Sequence, residues 1–122
     1  MTLFENKPFV SHSGVRLPFK INCDALSDKD IATIANIVRK RFAFSKVHPI
    51  PRGGTRLAKA LEQFCVPGAG TIIVDDVFTR GTSMLKAQQE VGHDSIGVVI
   101  YARSRCPSWI YPVFQLAEWA RP

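Results

Sequence analysis

The stretch "TIIVDDVFTRGTSM", residues 71–84, decides the fold. Thr71–Val74 are strand formers, and they run straight into two adjacent carboxylates, Asp75 and Asp76. An unbroken apolar run of this kind is expected of a parallel strand covered on both faces. The segment "TRGTS" at 79–83 then turns the chain into "TSMLKAQQEV", which has helical spacing and Gly92 behind it to end the helix. Strand, loop and helix together read as half of a β-α-β unit.

The flanks repeat that pattern. Upstream, "SDKDIATIANIVRKRF" reads as a helix capped by Ser27, with Asp28 and Asp30 in its first turn. Its apolar face is Ile31, Ile34, Ala35, Val38 and Phe42. "FSKVHPIP" is a short strand stopped by Pro51, "RGG" a turn, and "TRLAKALEQF" a helix with Leu57, Ala58 and Leu61 inward. "VPGAG" breaks the chain before Thr71. Downstream, "SIGVVIYA" is a third buried strand. The tail "RCPSWIYPVFQLAEWA" is aromatic, is interrupted by Pro107 and Pro112, and ends in a short helix. "FKIN" at 19–22 is a short strand within an irregular start. The expected class is therefore α/β: a small three-layer parallel sheet with flanking helices and right-handed crossovers. Residues 1–122 form one domain, with 1–26 as an N-terminal segment.

Composition narrows the function. There are 16 Lys+Arg against 10 Asp+Glu, giving +6, but the basic residues are scattered. Their one cluster, Arg39-Lys40-Arg41, suits a helix C-terminus. Phosphate-bearing small molecules account for the charge, and nucleic acid is the minor alternative. Cys23, Cys65 and Cys106 show no metal spacing and read as thiols of a reducing compartment. No apolar run reaches the ~20 residues a membrane span needs. A cytoplasmic protein without a membrane partner is expected.

Ligands of parallel sheets bind beyond the carboxyl ends of the strands, so "PRGG" at 51–54 and "DDVFTRGTS" at 75–83 share one rim. Thr79, Thr82 and Ser83 offer hydroxyls, Gly81 a tight turn, and the following helix its unpaired amides; together they make an anion cradle. Plain helix capping is the alternative use of Gly-Thr-Ser. Adjacent carboxylates at a buried strand end repel unless a cation or sugar hydroxyls meet them. Since successive strand residues face opposite ways, one of the two suffices for direct contact. Gly53 and Gly54 admit a ligand close to the backbone, and Arg52 brings a fork of donors. A sugar phosphate, with Mg²⁺, fits this set.

"IIVDDVFTRGTS" resembles the phosphoribosyl diphosphate (PRPP) motif of the type I phosphoribosyltransferases: apolar strand, paired acids, then a Thr/Gly-rich phosphate loop. "PRGG" before an apolar helix looks like their pyrophosphate loop. "FVSHSGVRLPFKINCDALSD" is similar to the start of orotate phosphoribosyltransferases. The resemblance implies that Asp75 and Asp76 hold the ribose hydroxyls, directly or through water and Mg²⁺. It implies that Thr79, Arg80, Gly81, Thr82 and Ser83 wrap the 5′-phosphate, and that Arg52 and Gly53 meet the pyrophosphate. Asp75, Asp76 and Arg52 would then be the catalytic set, and residues 1–26 a hood over the base. Candidates for reading the base are His12, Arg16, Lys20, Arg103 and Arg105, with an anionic base such as orotate suited to the Arg and Lys residues. Trp109, Tyr111 and Phe114 stack on a base or pack an interface, packing being the commoner use.

One departure is legible. Only residues 55–70 separate "PRGG" from the strand that begins at Thr71, and a helix uses most of them. In orotate phosphoribosyltransferases the interval also holds another strand and a mobile loop with a catalytic Lys. The functional expectations are therefore a phosphoribosyltransferase acting on PRPP and a nucleobase, or a PRPP- or nucleotide-binding regulatory module without chemistry. A homodimer is the expected assembly.

Overall fold

A computed structural model describes residues 2–10, 16–17 and 19–116. The chain opens with four two-residue strands: β1 Phe4–Glu5, β2 Phe9–Val10, β3 Arg16–Leu17 and β4 Lys20–Ile21. They pair antiparallel as β1 with β4 and β2 with β3. Then follow α1 Asp28–Arg41, β5 Lys46–Pro49, α2 Thr55–Leu61, β6 Thr71–Phe78, α3 Thr82–Val91, β7 Ile96–Ala102 and β8 Ile110–Gln115. β5 to β8 form one parallel sheet in sequence order.

Local chemistry explains the boundaries. Ser27 accepts the Asp30 amide while the Asp30 carboxylate accepts the Ser27 amide, a reciprocal box that starts α1. Arg39, Lys40 and Arg41 close the same helix; Arg39 lies over the Phe64 ring and Arg41 over Tyr111. Their stems cover aromatic surface while their charges suit the helix end.

Two apolar layers cover the sheet. On one face Ile34, Val38, Leu57 and Leu61 of α1 and α2 pack on Ile72, Val74, Val98 and Ile100. On the other, Met84 and Ala87 of α3 pack on Ile73, Val99 and Ile110. Each wholly buried aliphatic side chain contributes about 1.5–3 kcal/mol of apolar burial. The three-layer parallel sheet expected from the pattern is the one observed.

Two features correct the expectation. First, the crossovers are not both right-handed. β5-α2-β6 and β6-α3-β7 advance across the sheet in the same direction, yet α2 and α3 lie on opposite faces. Two such units have opposite hands, so one departs from the usual right-handed rule. Doubly wound sheets put helices on both faces by reversing strand order at a switch point. Here α2 returns directly to the neighbouring strand, because residues 55–70 hold only α2, a 3-10 turn at Glu62–Phe64 and a loop.

Second, the aromatic tail supplies a fourth strand. β8 lies at the sheet edge, where Pro112, opposite Val99, has a free side to which its missing N–H is no loss. Tyr111 meets Phe42 edge-on at 5.4 Å, Phe114 stacks on Tyr101 at 5.3 Å, and Trp109 packs beside Gly97. All three aromatics therefore serve packing. The helix expected at the end of the tail falls on residues outside those described.

Candidate functional site

A cavity of about 380 Å³ opens at the carboxyl ends of β5 and β6. Arg52, Gly53, Asp75, Asp76 and the whole 79–83 loop line it. The two loops picked out by sequence thus meet at a single site.

The carboxylates take positions that strict alternation does not give. Asp75 Oδ1 accepts the Asp76 amide at 2.8 Å, and Asp76 Oδ1 accepts the Val77 amide at 2.7 Å. Each side chain folds back on the next peptide. The inside–outside rhythm slips there: Val74 and Val77 join the same apolar layer, as do Ile100 and Tyr101 on the neighbouring strand. Both aspartates, not one, consequently line the cavity.

Electrostatics follow from this crowding. Burial, then the Asp76 charge beside it, pushes the Asp75 carboxyl up to about 8. The same pair, after burial, helps push the Cys23 thiol up to about 12, so that thiol is neutral and inert. Four cations, Lys20, Arg52, Arg80 and Arg103, line the cavity against the two acids. A polyanion matches that balance.

The loops are shaped by close approach. A Cβ on Gly53 would lie 2.3 Å from Asp76 Oδ1, so only glycine lets "PRGG" sit against the acid pair. The peptide bond between Pro51 and Arg52 is cis. Gly81 has φ of +80° and caps α3, with the Phe78 ring where a Cβ would go. The first α3 bond runs from the Leu85 amide to the Gly81 carbonyl at 2.8 Å. By helix geometry the amides of Thr82, Ser83 and Met84 have no acceptor within the helix and face the macrodipole's positive end. This is the donor set of an anion cradle.

One wall comes from the N-terminal segment. Val10, Leu17, Lys20 and Ile21 line one side of the cavity, which stays open to solvent. Leu17 and Ile21 were not among the residues picked out from the sequence, since the antiparallel pairs that aim them are too short to leave a period. Arg103 ties the hood to the sheet: its guanidinium lies 4.2 Å over the Phe19 ring and donates to the Phe19 carbonyl at 2.6 Å. Burial lowers its pKa from the ordinary value.

Of the five base-reading candidates, Lys20 and Arg103 line the cavity. Arg105 does not: it is exposed, three residues past the end of β7 on the chain that turns back towards β8. His12 lies outside the described residues. Arg16 contributes its backbone to β3 opposite Val10, and its side chain is likewise outside the description.

The residues also bear on a metal. Among the described residues no group of three or more His, Cys, Asp or Glu converges. Two adjacent carboxylates without further protein ligands fit Mg²⁺ that completes its shell with phosphate oxygens and water, not a protein-built cage.

No family model matches the chain, and no curated protein matches it in sequence. Solved structures do match in architecture. An orotate phosphoribosyltransferase from Aeropyrum pernix superposes with a TM-score of 0.69 at 20% identity, covering 93% of this chain and 88% of that one. The Mycobacterium tuberculosis H37Rv orotate phosphoribosyltransferase gives 0.65 at 14%, covering 93% and 89%. A hypoxanthine phosphoribosyltransferase from Trypanosoma cruzi, solved with its product IMP, gives 0.51 at 16%, covering 74% and 73%. At these identities the likeness establishes the architecture, and the chain has the fold of the phosphoribosyltransferases.

Proposed function

We propose that this protein binds PRPP with Mg²⁺ and exchanges its pyrophosphate for a nucleobase. The carrying observation is the convergence of paired acids, anion cradle and "PRGG" loop on one cavity of about 380 Å³. A 5′-phosphate seats on the amides of Thr82, Ser83 and Met84 and the hydroxyls of Thr79, Thr82 and Ser83. Asp75 and Asp76 accept from the ribose hydroxyls. Arg52 and the Gly53 backbone meet the diphosphate, and Lys20 and Arg103 stand at the base end. The solved hypoxanthine enzyme, holding its nucleotide product, supports a nucleotide as the outcome.

In the reaction the bond from the anomeric carbon to the diphosphate oxygen breaks and a bond to a base nitrogen forms, the base giving up a proton. Mg²⁺, when bound, would neutralise the diphosphate and lend it stability as a leaving group. The chain's own share is positioning and electrostatics. Two carboxylates under the ribose favour positive charge developing on the ring, and Arg52 favours negative charge on the departing group. The test is incubation with PRPP, Mg²⁺ and a panel of purine and pyrimidine bases, read as pyrophosphate and nucleotide. Formation of neither with any base would refute the transferase reading.

A second reading has its own observation. Residues 55–70 hold only α2, a 3-10 turn and a loop, leaving no segment there to close over the acids. A PRPP-binding module without turnover follows from that. Calorimetric binding of PRPP with no product from any base would favour it.

A further inference from the structure

The end of β7 holds a polar tether to the phosphate loop that the proposed chemistry does not use directly. Where the ladder between β6 and β7 runs out, the Arg103 amide donates to the Phe78 carbonyl at 2.9 Å. One residue on, the Ser104 hydroxyl donates to the Thr79 carbonyl at 2.5 Å. Thr79 is the first residue of the anion cradle, so this bond fixes how the cradle leaves the sheet. Ser104 is itself held. The Gln115 side-chain Nε2, on the last residue of β8, lies within donating distance of the carbonyls of Ala102 and Ser104, each at 3.3 Å, and of Leu116 at 3.1 Å. The Leu116 amide adds a bond to the Ala102 carbonyl at 2.9 Å. A side-chain relay therefore extends the order of three strands past their ends to the point where the loop begins.

We propose that Ser104, braced by Gln115, is a positioning residue that preorganises the 79–83 loop for the 5′-phosphate. Ser104 is not among the residues lining the cavity, so its effect on a ligand passes through the Thr79 peptide. Loops beyond strand ends are held by such individual bonds, and loss of one costs about fivefold in an equilibrium that needs the loop in place. Binding that relies on a preformed loop is weakened when the loop must be ordered at the moment of binding. Pyrophosphate, which on the proposed reading meets the "PRGG" loop on the other side of the cavity, does not share this dependence.

The inference rests on the phosphoribosyl reading above, and the experiment separates the two. Affinities of wild type, Ser104→Ala, Ser104→Thr and Gln115→Ala are measured calorimetrically for PRPP with Mg²⁺, ribose 5-phosphate alone and pyrophosphate with Mg²⁺. Ser104→Ala is expected to weaken PRPP and ribose 5-phosphate by about fivefold while leaving pyrophosphate unchanged. Ser104→Thr restores the affinity, and Gln115→Ala shows the same selective loss at smaller size. Equal loss for all three ligands, or no loss for any, overturns the positioning role. Wild-type protein that binds neither PRPP nor ribose 5-phosphate overturns the phosphoribosyl reading and this inference with it.

Discussion

Replacing Asp75 with Asn should make the ligand-free protein more stable and the site useless. In the unfolded chain this carboxyl ionises near its ordinary value of 3.8; in the fold, burial and Asp76 push it up to about 8. The sign follows from proton counts. Below pH 3.8 both states hold the proton and nothing is lost. Between 3.8 and about 8 the unfolded state releases a proton that the fold retains, so stability falls as pH rises through that window, and levels off above it. At 1.36 kcal/mol per pH unit the span from 3.8 to about 8 caps the penalty at roughly 5–6 kcal/mol. Asp75 lines an open cavity, and screening there brings the realised penalty to about 1–2 kcal/mol. For a chain of 122 residues that is a rise of about 4–8 °C in Tm for Asp75→Asn at pH 8. The gain should shrink towards zero at pH 4. Thermal unfolding of both proteins without ligand at pH 4, 6 and 8 checks it. A variant no more stable than wild type at pH 8, or a difference that ignores pH, would refute the reasoning. PRPP affinity should move the opposite way and drop at least tenfold, the trade expected of groups kept for function at the expense of the fold.

Three further perturbations test separate pieces. Gly53→Ala drives a methyl into the Asp76 carboxylate; it should cost about 1–3 kcal/mol by denaturant unfolding and lower PRPP affinity by displacing that acid. Gly81→Ala meets both a φ of +80° and the Phe78 ring, so a loss of about 1–3 kcal/mol with selective weakening of ribose 5-phosphate is expected by calorimetry. Arg103→Leu removes the contact that ties the hood through Phe19; base KM should rise at least tenfold while PRPP affinity changes little, and amide exchange at Lys20 and Ile21 should quicken.

What the sequence revealed depended on whether a signal was local. Thr71–Val74 had no reading other than a covered strand, and Ser27 with Asp30 announced α1, so the frame of the sheet and the two rim loops were legible. β8 was not, because Pro112 speaks against a strand unless the strand is known to lie at an edge, which is a fact of topology. The opposite-handed crossovers were hidden for the same reason: no residue in 55–70 records which face α2 will cover. At the site, that Asp75, Asp76, Arg52 and "TRGTS" would share one rim was legible, and they line one cavity. That both acids face the cavity was not, since it arises from each carboxylate capturing the next amide. Arg105 matched Arg103 in type and differed in where the chain turned after β7. Ser104 escaped notice because a serine at a strand end carries no pattern; only the Thr79 carbonyl beside it gives it meaning.

The account stands on the claim that the acid pair and the 79–83 loop together hold PRPP. Calorimetric titration of the wild-type protein with PRPP in Mg²⁺, repeated with Asp75→Asn/Asp76→Asn, tests it most directly. The predicted result is saturable binding near one PRPP per chain that the double variant loses while remaining folded. No binding to wild type at millimolar PRPP, or undiminished binding to the double variant, would contradict it.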